Sequence, residues 1–575
     1  MESMIKFSDY LARFLSDKGI KVVFELSGGM ITHILDSISI QTDIRIVSVH
    51  HEQAAAFAAD AAGRVSGVPG VALATSGPGA TNLLTGIGSC YFDSVPALFI
   101  TGQVNTHEIK GEKSIRQQGF QETDIVSMAK PITKACFMIT SAEDGPRLLE
   151  EAYSMAISGR PGPVLIDIPM DVQRKLITVP LTLAPEKSFK QQTTIDFDLI
   201  YKALGNSTRP LIIVGRGIRA ANAQHHFLSM LKKIQVPVCS SLLGLDVLPF
   251  DHELRVGFFG SYGNRWANQA IADSDLVLVL GARLDIRQTG ADVDFFSQRK
   301  IIQVDCEKGE INNRVKGCIP IIADVGDFIK GFNIFLESKK EMSFPQWQNS
   351  IKENKIQMDD TKELGEISGI NPNLFMHQLS HKNPTALYLA DVGSHQMWAA
   401  QSLEIDQDQL FITSGGMGSM GYALPAAIGA TLTLGKSCTV IVGDGCMQLN
   451  IQELQTIVRN RLPLKIVVMN NQSLGMIRQF QDSYFDSRYQ STVWGYSAPD
   501  FEKIATAYGI KAISINDAGQ CADAIHWLFS KDTLLEPMLL QVNIEKDVNV
   551  YPKIAFGRPL HEMEPSFKPQ DMEGT

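Results

Sequence analysis

An aspartate and an asparagine that each follow a buried apolar run are the strongest chemical signal in the sequence. Asp444 ends the run 439–444, and Asn471 follows the run 464–470. If both runs are parallel strands, their carboxyl ends open onto one edge of a sheet, where ligands bind. Oxygens of Asp444 and Asn471, with Ser473 as a third ligand, suit octahedral Mg²⁺ completed by water and phosphate. The spacing therefore predicts a magnesium and phosphate site.

The glycines around Asp444 fit the same prediction. Gly443 and Gly445 let the backbone approach a ligand, and N–H groups at the start of the following helix, from Cys446 onward, can bind a diphosphate. Taken alone, however, a Gly-Asp-Gly triplet is more often an ordinary turn.

Glu52 is a second candidate for chemistry. It lies where the apolar run 44–49 leads into the Ala-rich segment HHEQAAAFAADAAGR. A carboxyl group in apolar surroundings can keep or share a proton, and so form a hydrogen bond to an aromatic ring nitrogen. The alternative is a helix-start glutamate that the helix dipole favours.

These residues need a scaffold of parallel strands, and the sequence predicts one. Short aliphatic runs recur, each followed by a Gly-rich turn and a longer stretch of helical periodicity, which is typical of βαβ units. The class is therefore α/β. The clearest strands are expected at 71–75, 97–101, 164–167, 211–214, 276–280, 301–305, 386–391, 439–444, 464–470 and 538–542.

Two polar stretches, 186–196 and 338–369, divide these strands into three sets. The chain of 575 residues is long enough for three cores. We therefore expect three doubly wound parallel-sheet domains, at 1–185, 196–337 and 370–550, followed by a C-terminal tail, 551–575.

Composition excludes several classes of protein. With 52 Lys and Arg against 62 Asp and Glu, the net charge of -10 argues against nucleic acid as a partner. The apolar runs are shorter than the roughly 20 residues of a membrane span. The N-terminal segment does not resemble a signal peptide, so a cytoplasmic location is expected. The 8 cysteines form no CxxC pair, which argues against disulfides and structural zinc.

Nearly the whole chain resembles the acetohydroxyacid synthase large subunits, a family that uses thiamine diphosphate. The resemblance is carried by the segments around Glu52 and Asp444 and by long matches such as ATSGPGATNLLTGIGSCYFDSVPALFITGQV (74–104), GFQETDIV (119–126) and GRPGPVLIDIP (159–169). It implies a pyrimidine-binding first domain, a middle domain and a diphosphate-binding third domain.

The resemblance also implies roles for individual residues. Glu52 would activate the cofactor through its pyrimidine ring. Phe120 and Gln121 would line the reacting centre, and Gly28 and Gly29 would bring backbone close to it, although these glycines could also form a plain turn. The remaining thiamine diphosphate contacts would be Ser394, His395, Gly418, Met420, Gly443, Gly445 and Cys446. Ser394 is a departure, since the synthases often have Gln there.

The middle domain resembles the flavin-binding region of the same synthases. The matching segments include VGRGIRAANA from Val214 and LGARLDIRQTG from Leu280. The implied FAD contacts are Arg160, Gly215, Gly217, Gly281, Arg283, Asp305 and Asp324. We expect FAD as a structural, non-redox group, and a middle domain without cofactor is the alternative.

The residues expected to contact the second substrate depart from the synthase pattern. Arg287 aligns with the arginine that binds the carboxylate of the second keto acid. Met170 stands where the synthases usually carry Lys, and Phe480 stands where they carry Trp. The C-terminal stretch VYPKIAFGRPLHEMEP is similar to members of the family associated with polysaccharide synthesis, which add an acetyl group to a keto-sugar nucleotide.

The resemblance therefore implies an enzyme that decarboxylates a 2-keto acid, expected to be pyruvate, and transfers the acyl fragment to a second keto acid. A keto-sugar nucleotide acceptor, a flavin-linked pyruvate oxidase, a simple decarboxylase and an inactive homologue remain alternatives. Because Glu52 and Asp444 fall in different domains, the family pattern implies a homodimer or homotetramer with each site between two chains.

Overall fold

The computed structural model describes residues 4–178, 195–381 and 383–570. Three six-stranded parallel sheets, each flanked by helices, follow one another along the chain. The expected α/β class with three doubly wound sheets is therefore confirmed. No helix among the described residues is both long and apolar enough to cross a membrane.

The first sheet has the strand order 2-1-3-4-6-5, counting along the chain within the domain. In space its strands are Arg45–Ser48, Val22–Leu26, Gly70–Ala74, Ala97–Gln103, Pro163–Pro169 and Ala135–Met138. Its α-helices are Phe7–Asp17, Thr32–Gln41, Glu52–Ser66, Pro78–Asn82, Leu84–Phe92, Ile125–Ala129, Gly145–Ile157 and Met170–Arg174. A short antiparallel pair, Met4–Lys6 with Leu176–Thr178, lies beside it.

Both faces of this first sheet are buried. Along one strand, Val71 and Leu73 belong to one apolar cluster, whereas Ala72 and Ala74 belong to another. Successive side chains of a strand point to opposite faces, so helices cover the sheet on both sides.

The second sheet has a different order, 3-2-1-4-5-6. Its strands in space are Arg255–Phe258, Val238–Ser240, Pro210–Val214, Leu276–Leu280, Lys300–Asp305 and Ile319–Ile322. Its helices are Phe197–Gly205, Gly217–Ala220, Gln224–Lys233, Arg265–Asp273, Ile286–Thr289, Asp294–Ser297, Val325–Leu336 and Pro345–Gln357. The short strands Ile234–Gln235 and Met342–Ser343 pair beside it.

The third sheet repeats the order of the first, 2-1-3-4-6-5. Its strands in space are Leu410–Ile412, Leu387–Ala390, Cys438–Gly443, Leu464–Asn470, Met538–Asn543 and Lys511–Ile515. Its helices are Pro372–Ser380, Ser394–Ser402, Ala423–Leu434, Asp444–Leu449, Glu453–Asn460, Gly475–Tyr484, Phe501–Ala507 and Cys521–Leu528. The first and third domains are thus built on one topology.

The first and third domains pack through two small-residue helices, Glu52–Ser66 and Ala423–Leu434. A Cβ placed on Gly429 would lie 2.0 Å from the Ala58 carbonyl oxygen, so the two backbones are in direct contact. The rings of Phe57 and Tyr422 meet edge to face at 5.3 Å beside this contact.

One of the two polar stretches expected to separate the domains carries ordered structure. In the polar stretch 338–369, the helix Pro345–Gln357 buries Trp347 and Ile351, four residues apart, against the middle domain. The other stretch, 186–196, lies outside the described residues as far as residue 194.

Residues 551–570 of the expected tail fold back on the middle domain. Lys553–Ile554 and Met563–Glu564 pair antiparallel. Ile554, Leu560 and Met563 join the apolar cluster on one face of the middle sheet. We call residues 551–570 the C-terminal hairpin.

Candidate functional site

Each of the three sheets has one point at which the strand order reverses. These switch points lie between Val22–Leu26 and Gly70–Ala74, between Pro210–Val214 and Leu276–Leu280, and between Leu387–Ala390 and Cys438–Gly443. Loops that leave neighbouring strands in opposite directions open a crevice there, and ligands of doubly wound sheets bind in it. The candidate residues fall at these three points.

At the first switch point, Glu52 begins its helix and is 6% exposed. Its Oε2 accepts a hydrogen bond from Asn82 Nδ2 at 2.9 Å. A Cβ on Gly79 would lie 3.2 Å from Oε1, so only a glycine leaves that oxygen room. The carboxyl group is therefore buried and oriented by one amide. Asn82 was not expected from the sequence.

The loops beside Glu52 bring further candidates together. A Cβ on Gly28 would lie 2.5 Å from Thr75 Cβ, and Gly79 approaches the same threonine. Gly77 lies against the Gln121 side chain, and Gln121 itself has a positive φ of 66°. Gly28, Gln121 and Glu52 thus surround one loop, residues 75–79.

The next two candidates differ in their surroundings. Gly29 has open space around the position of a Cβ. Phe120 is 80% exposed, so its ring has little packing within one chain.

Beside the third-domain switch point, Asp444 and Ser473 follow neighbouring strands whose ends are in register, with Gly443 opposite Met469. Asp444, Asn471 and Ser473 are all buried. Asp444 Oδ2 and Ser473 Oγ have no hydrogen-bond partner among the described residues. Buried oxygens without partners are costly unless a ligand satisfies them. The donor set therefore fits Mg²⁺, whose ligands are oxygens.

Burial raises the pKa of the Asp444 carboxyl to about 6, against the opposing effect of the Gly445 N–H group. Burial also lowers the pKa of His395 to about 3, so its ring is neutral at pH 7. A bound cation would favour the ionised form of Asp444.

The expected diphosphate contacts surround Asp444. A Cβ on Gly443 would lie 2.7 Å from His395 Nδ1, and one on Gly445 would lie 3.4 Å from Met420 Cε. Cys446 Sγ donates to the Val392 carbonyl oxygen at 3.0 Å, so this thiol is already engaged.

Two further contacts complete this group. A Cβ on Gly475 would lie 2.8 Å from Ser394 Oγ. Gly418 has a positive φ of 67°, a conformation that favours glycine. Met420 lies two residues beyond it in the same loop, 413–422, which we call the cofactor loop.

The middle-domain switch point opens into a cavity between all three domains. The seven residues expected to contact FAD line this one cavity: Arg160, Gly215, Gly217, Gly281, Arg283, Asp305 and Asp324. A Cβ on Gly215 would lie 2.2 Å from the Gly281 carbonyl oxygen, so the absence of a side chain is needed for the close approach of the two loops. The order 3-2-1-4-5-6 is typical of sheets that bind dinucleotides.

The two aspartates of the cavity differ in their partners. Asp324 caps the helix Val325–Leu336 by accepting from the Gly326 and Asp327 N–H groups. Asp305 accepts from the Glu307 N–H group at 2.9 Å, and burial raises its pKa.

The cations of the cavity include one that the sequence had not indicated. Arg160 donates to Ser94 and pairs with Glu307 and Glu310. Arg216 lines the cavity between its two glycines, and burial lowers its pKa to about 10, so it stays cationic at pH 7.

The acceptor candidates lie on three different domains. Arg287 lines the same cavity from the helix Ile286–Thr289. Phe480 lies on the helix Gly475–Tyr484, with its ring 4.7 Å from that of Tyr484. Met170 begins a short helix that follows the strand Pro163–Pro169. One chain therefore supplies these side chains from separate elements.

Comparison with known proteins agrees with this arrangement. Three family models match: "Thiamine pyrophosphate enzyme, N-terminal TPP binding domain" at residues 5–128, the central domain of the same enzymes at 198–332, and the C-terminal TPP binding domain at 391–542. Three doubly wound domains with sites at their switch points therefore define a thiamine-diphosphate-dependent enzyme that forms C–C bonds.

The relatives narrow this class to one family. The chain is 35% identical to the acetolactate synthase large subunit of Lactococcus lactis over 569 residues, covering 98% of this chain and 96% of that protein. It is 35% identical to acetolactate synthase 1, chloroplastic, of Nicotiana tabacum, covering 96% and 84%. It is also 34% identical to the probable acetolactate synthase large subunit of Methanocaldococcus jannaschii, covering 94% and 92%. The chain belongs to the acetolactate synthase large-subunit family.

Proposed function

We propose that this chain decarboxylates a 2-keto acid, with pyruvate as the donor, and joins the acyl fragment to a second keto acid. The observation that carries the proposal is the position of Glu52 and Asp444, each buried at a switch point within a matched thiamine pyrophosphate domain. The names of the relatives, acetolactate synthases, support pyruvate as the substrate.

The residues of the proposed thiamine diphosphate site lie on two domains, the first and the third. Thiamine diphosphate supplies, when bound, a nucleophilic carbon and an electron sink for decarboxylation. Glu52 would hold a proton at a nitrogen of the pyrimidine ring, and Asn82 orients the Glu52 carboxyl group. Gly28 and Gln121, which surround the loop beside Glu52, would line the reacting centre with Phe120 and Gly29.

On the third domain, Asp444, Asn471 and Ser473 would hold Mg²⁺ against the diphosphate. Their buried oxygens supply the hard ligands that this cation requires. The neutral ring of His395, with Ser394, Gly443, Gly445 and Cys446, would surround the diphosphate. In the cofactor loop, Gly418 would hold the pyrimidine through its carbonyl oxygen, and Met420 would support the cofactor by packing against it.

We propose FAD as a structural group in the middle cavity. The support is the set of seven candidate residues, from Arg160 to Asp324, that line this single cavity at a switch point. A flavin-linked oxidase is the competing proposal. With pyruvate added, oxygen or quinone consumption together with acetate formation would favour the oxidase, whereas flavin that stays oxidised favours a structural group.

The second substrate, the acceptor, would contact Arg287. Arg287 suits a carboxylate or a phosphate, because a guanidinium binds both through two hydrogen bonds. A keto-sugar nucleotide is the second candidate acceptor. It is favoured by Met170 and Phe480, which replace the Lys and Trp usual in the synthases, and by the C-terminal hairpin. One lost apolar contact shifts acceptor selectivity by about 1–3 kcal/mol.

We also propose a homodimer or homotetramer, with each site between two chains, and a cytoplasmic location. Phe120 supports the first proposal, because its ring is 80% exposed and a second chain packed beside Gln121 would bury it. The 8 free cysteines support a reducing compartment.

The test is incubation of the protein with pyruvate, thiamine diphosphate and Mg²⁺, with CO₂ and products followed by mass spectrometry. We expect CO₂ and acetolactate, and an acetyl adduct of another acceptor would identify that acceptor instead. Free acetaldehyde as the main product would indicate a decarboxylase. No CO₂ from any 2-keto acid would rule out the proposal.

The acceptor is then tested by competition. Pyruvate is supplied as donor together with an equimolar mixture of 2-ketobutyrate and a 4-keto-sugar nucleotide, and the adducts are counted. A sugar adduct in excess would favour the second candidate over the first.

A further inference from the structure

Asp93 connects the wall of the flavin cavity to the cofactor loop. It follows the helix Leu84–Phe92 and lines the cavity, with 1% of its surface exposed. Its Oδ1 accepts from the Gly416 N–H group at 2.7 Å, and its Oδ2 accepts from the Gly415 N–H group at 3.0 Å. The first-domain carboxylate thus holds the start of a loop in the third domain.

Two arginines fix Asp93 in turn. Arg64, which is buried, donates to Asp93 Oδ2 at 2.8 Å and also to the Thr413 carbonyl oxygen at 3.0 Å. Arg216, which lines the flavin cavity in the middle domain, donates through Nε to the Asp93 carbonyl oxygen at 2.6 Å. We call Asp93 with Arg64 and Arg216 the Asp93 clamp. It joins all three domains.

The far end of the cofactor loop is held at the other cofactor site. Asp391, which follows a strand at the third switch point, accepts from the Gly421 N–H group at 2.9 Å and from the Ala423 N–H group at 2.8 Å. Between these two anchors, Met417 is exposed. The loop that carries Gly418 and Met420 is therefore held between the flavin cavity and the diphosphate site.

We propose that Asp93 is a positioning residue that couples the two cofactor sites, so that each cofactor strengthens the binding of the other. Gly415 and Gly416 line the flavin cavity, so a ligand there restrains the start of the cofactor loop. Thiamine diphosphate then binds a loop that is already partly ordered and loses less conformational entropy. The proposal rests on the cofactors assigned above.

The experiment compares affinities rather than rates. The Kd of thiamine diphosphate is measured by calorimetry in Mg²⁺, with no FAD and with saturating FAD, and the Kd of FAD is measured with and without thiamine diphosphate. In wild type, saturating FAD should lower the Kd of thiamine diphosphate, and saturating thiamine diphosphate should lower the Kd of FAD. The two ratios of Kd values, each of which we call the tightening factor, should be equal and in the range of about 5- to 150-fold. A factor of one in wild type overturns the proposal.

Asp93→Asn tests the residue. An amide cannot accept from Arg64, Gly415 and Gly416 as the carboxylate does, so the factor should fall towards one. A merely structural role would weaken both cofactors equally and leave the factor unchanged, which overturns the proposal.

The matched control is Asp275→Asn. Asp275 likewise accepts from backbone N–H groups, those of Thr208 and Arg209, but it lies at the opposite, amino-terminal edge of the middle sheet. This variant should keep the wild-type factor. If it loses the factor as Asp93→Asn does, the assignment to Asp93 is wrong.

Hydrogen exchange on the wild type keeps the proposal testable if the variant does not fold. FAD alone should slow amide exchange at residues 415–421, and unchanged exchange overturns the coupling. The failure of the coupling can be told apart from the failure of the proposed function. If wild type binds both cofactors and releases CO₂ but has a tightening factor of one, only the coupling is contradicted. Absence of FAD binding contradicts both the FAD assignment and the coupling.

Discussion

The Glu52 carboxyl group is buried and accepts a hydrogen bond from a side-chain amide. Asn82 donates to Oε2 at 2.9 Å, and Gly79 leaves room beside Oε1. A buried carboxyl group with a fixed orientation can form a hydrogen bond to a ring nitrogen of a bound ligand. The identity of a single side chain therefore decides whether the proposed chemistry can start.

Glu52→Gln should abolish most of the activity and spare the fold. The amide oxygen can still accept from Asn82, but the side chain can no longer donate a carboxyl proton. We expect CO₂ release from pyruvate to fall by roughly 10²–10⁴-fold, with an apparent Tm close to that of wild type. Glu150→Gln, which removes only a part-exposed ion pair with Lys18, is the control. Near-normal turnover in Glu52→Gln would show that this assignment is wrong.

The sequence indicated some of these residues and missed others for a physical reason. Asp444 and Glu52 follow apolar runs, so a local pattern marks them. Asp93 and Gly416 are 323 positions apart and meet only because two domains pack together. No periodicity or turn signal encodes such a contact, and the same holds for Asn82, which lies 30 positions from Glu52.

Strands and helices were more predictable than the contacts between them. All ten expected strands coincide with strands of the structure, with each boundary within two residues. Short strands such as Val238–Ser240 and Leu410–Ile412 were missed, since three residues carry too little pattern. The sheet order also could not be read from the sequence, although it determines which loops meet at a switch point.

Gly429→Ala should separate the two helices that join the first and third domains. The new methyl group would fall 2.0 Å from the Ala58 carbonyl oxygen, so the two helix backbones would have to move apart. We expect a loss of stability of about 1–3 kcal/mol, seen as a lower Tm. Gly205→Ala is the control, because its Cβ would meet only the flexible end of Met342 at 3.4 Å. Equal Tm values for the two variants would contradict this packing argument.

Asp167 in the strand Pro163–Pro169 should make stability depend on pH. Burial raises its pKa to about 7, although Thr101 and Gln103 donate to it. The folded state therefore keeps a proton that the unfolded chain has lost. The stabilisation is complete below about pH 4 and is lost as the pH rises through about 7.

Asp167→Asn removes this titration. Between pH 4.5 and pH 7.5, the free energy of unfolding of wild type, relative to that of the variant, should fall by an amount on the order of 2–4 kcal/mol. The Tm of wild type should fall relative to that of the variant over the same range. Differential scanning calorimetry at several pH values measures it. A difference in Tm that stays constant across the range would rule out Asp167 as the titrating group.

At the scale of the whole molecule, the three domains surround the cavity at the middle-domain switch point. The first and third sheets share one topology, and each has a switch point of its own. Tyr422, Asp60 and Arg64 form a buried polar contact between the first and third domains, and Arg216 adds the middle domain through Asp93. Buried networks of this kind fix domains relative to one another when every member has a partner. Loops that hold cofactors are thereby kept at set distances.

Mixing two inactive variants tests whether each site lies between two chains. In a mixed dimer of Glu52→Gln with Asp444→Asn, one site takes Glu52 and Asp444 from different chains and is intact. Co-expression in equal amounts should restore about a quarter of the wild-type CO₂ release, since half of the dimers are mixed and each has one intact site. The separate variants are the controls. No recovery in the mixture would place each site within one chain.

The C-terminal hairpin has a consequence for how the protein is made. Ile554, Leu560 and Met563 fill part of the core of the middle domain, whose strands end at Ile322. Domains usually fold in order as the chain leaves the ribosome. One apolar face of the middle domain, however, stays uncovered until the third domain and the C-terminal hairpin have been translated. A chaperone that shields this face should raise the yield of folded protein more than it would for an enzyme whose domains complete in sequence.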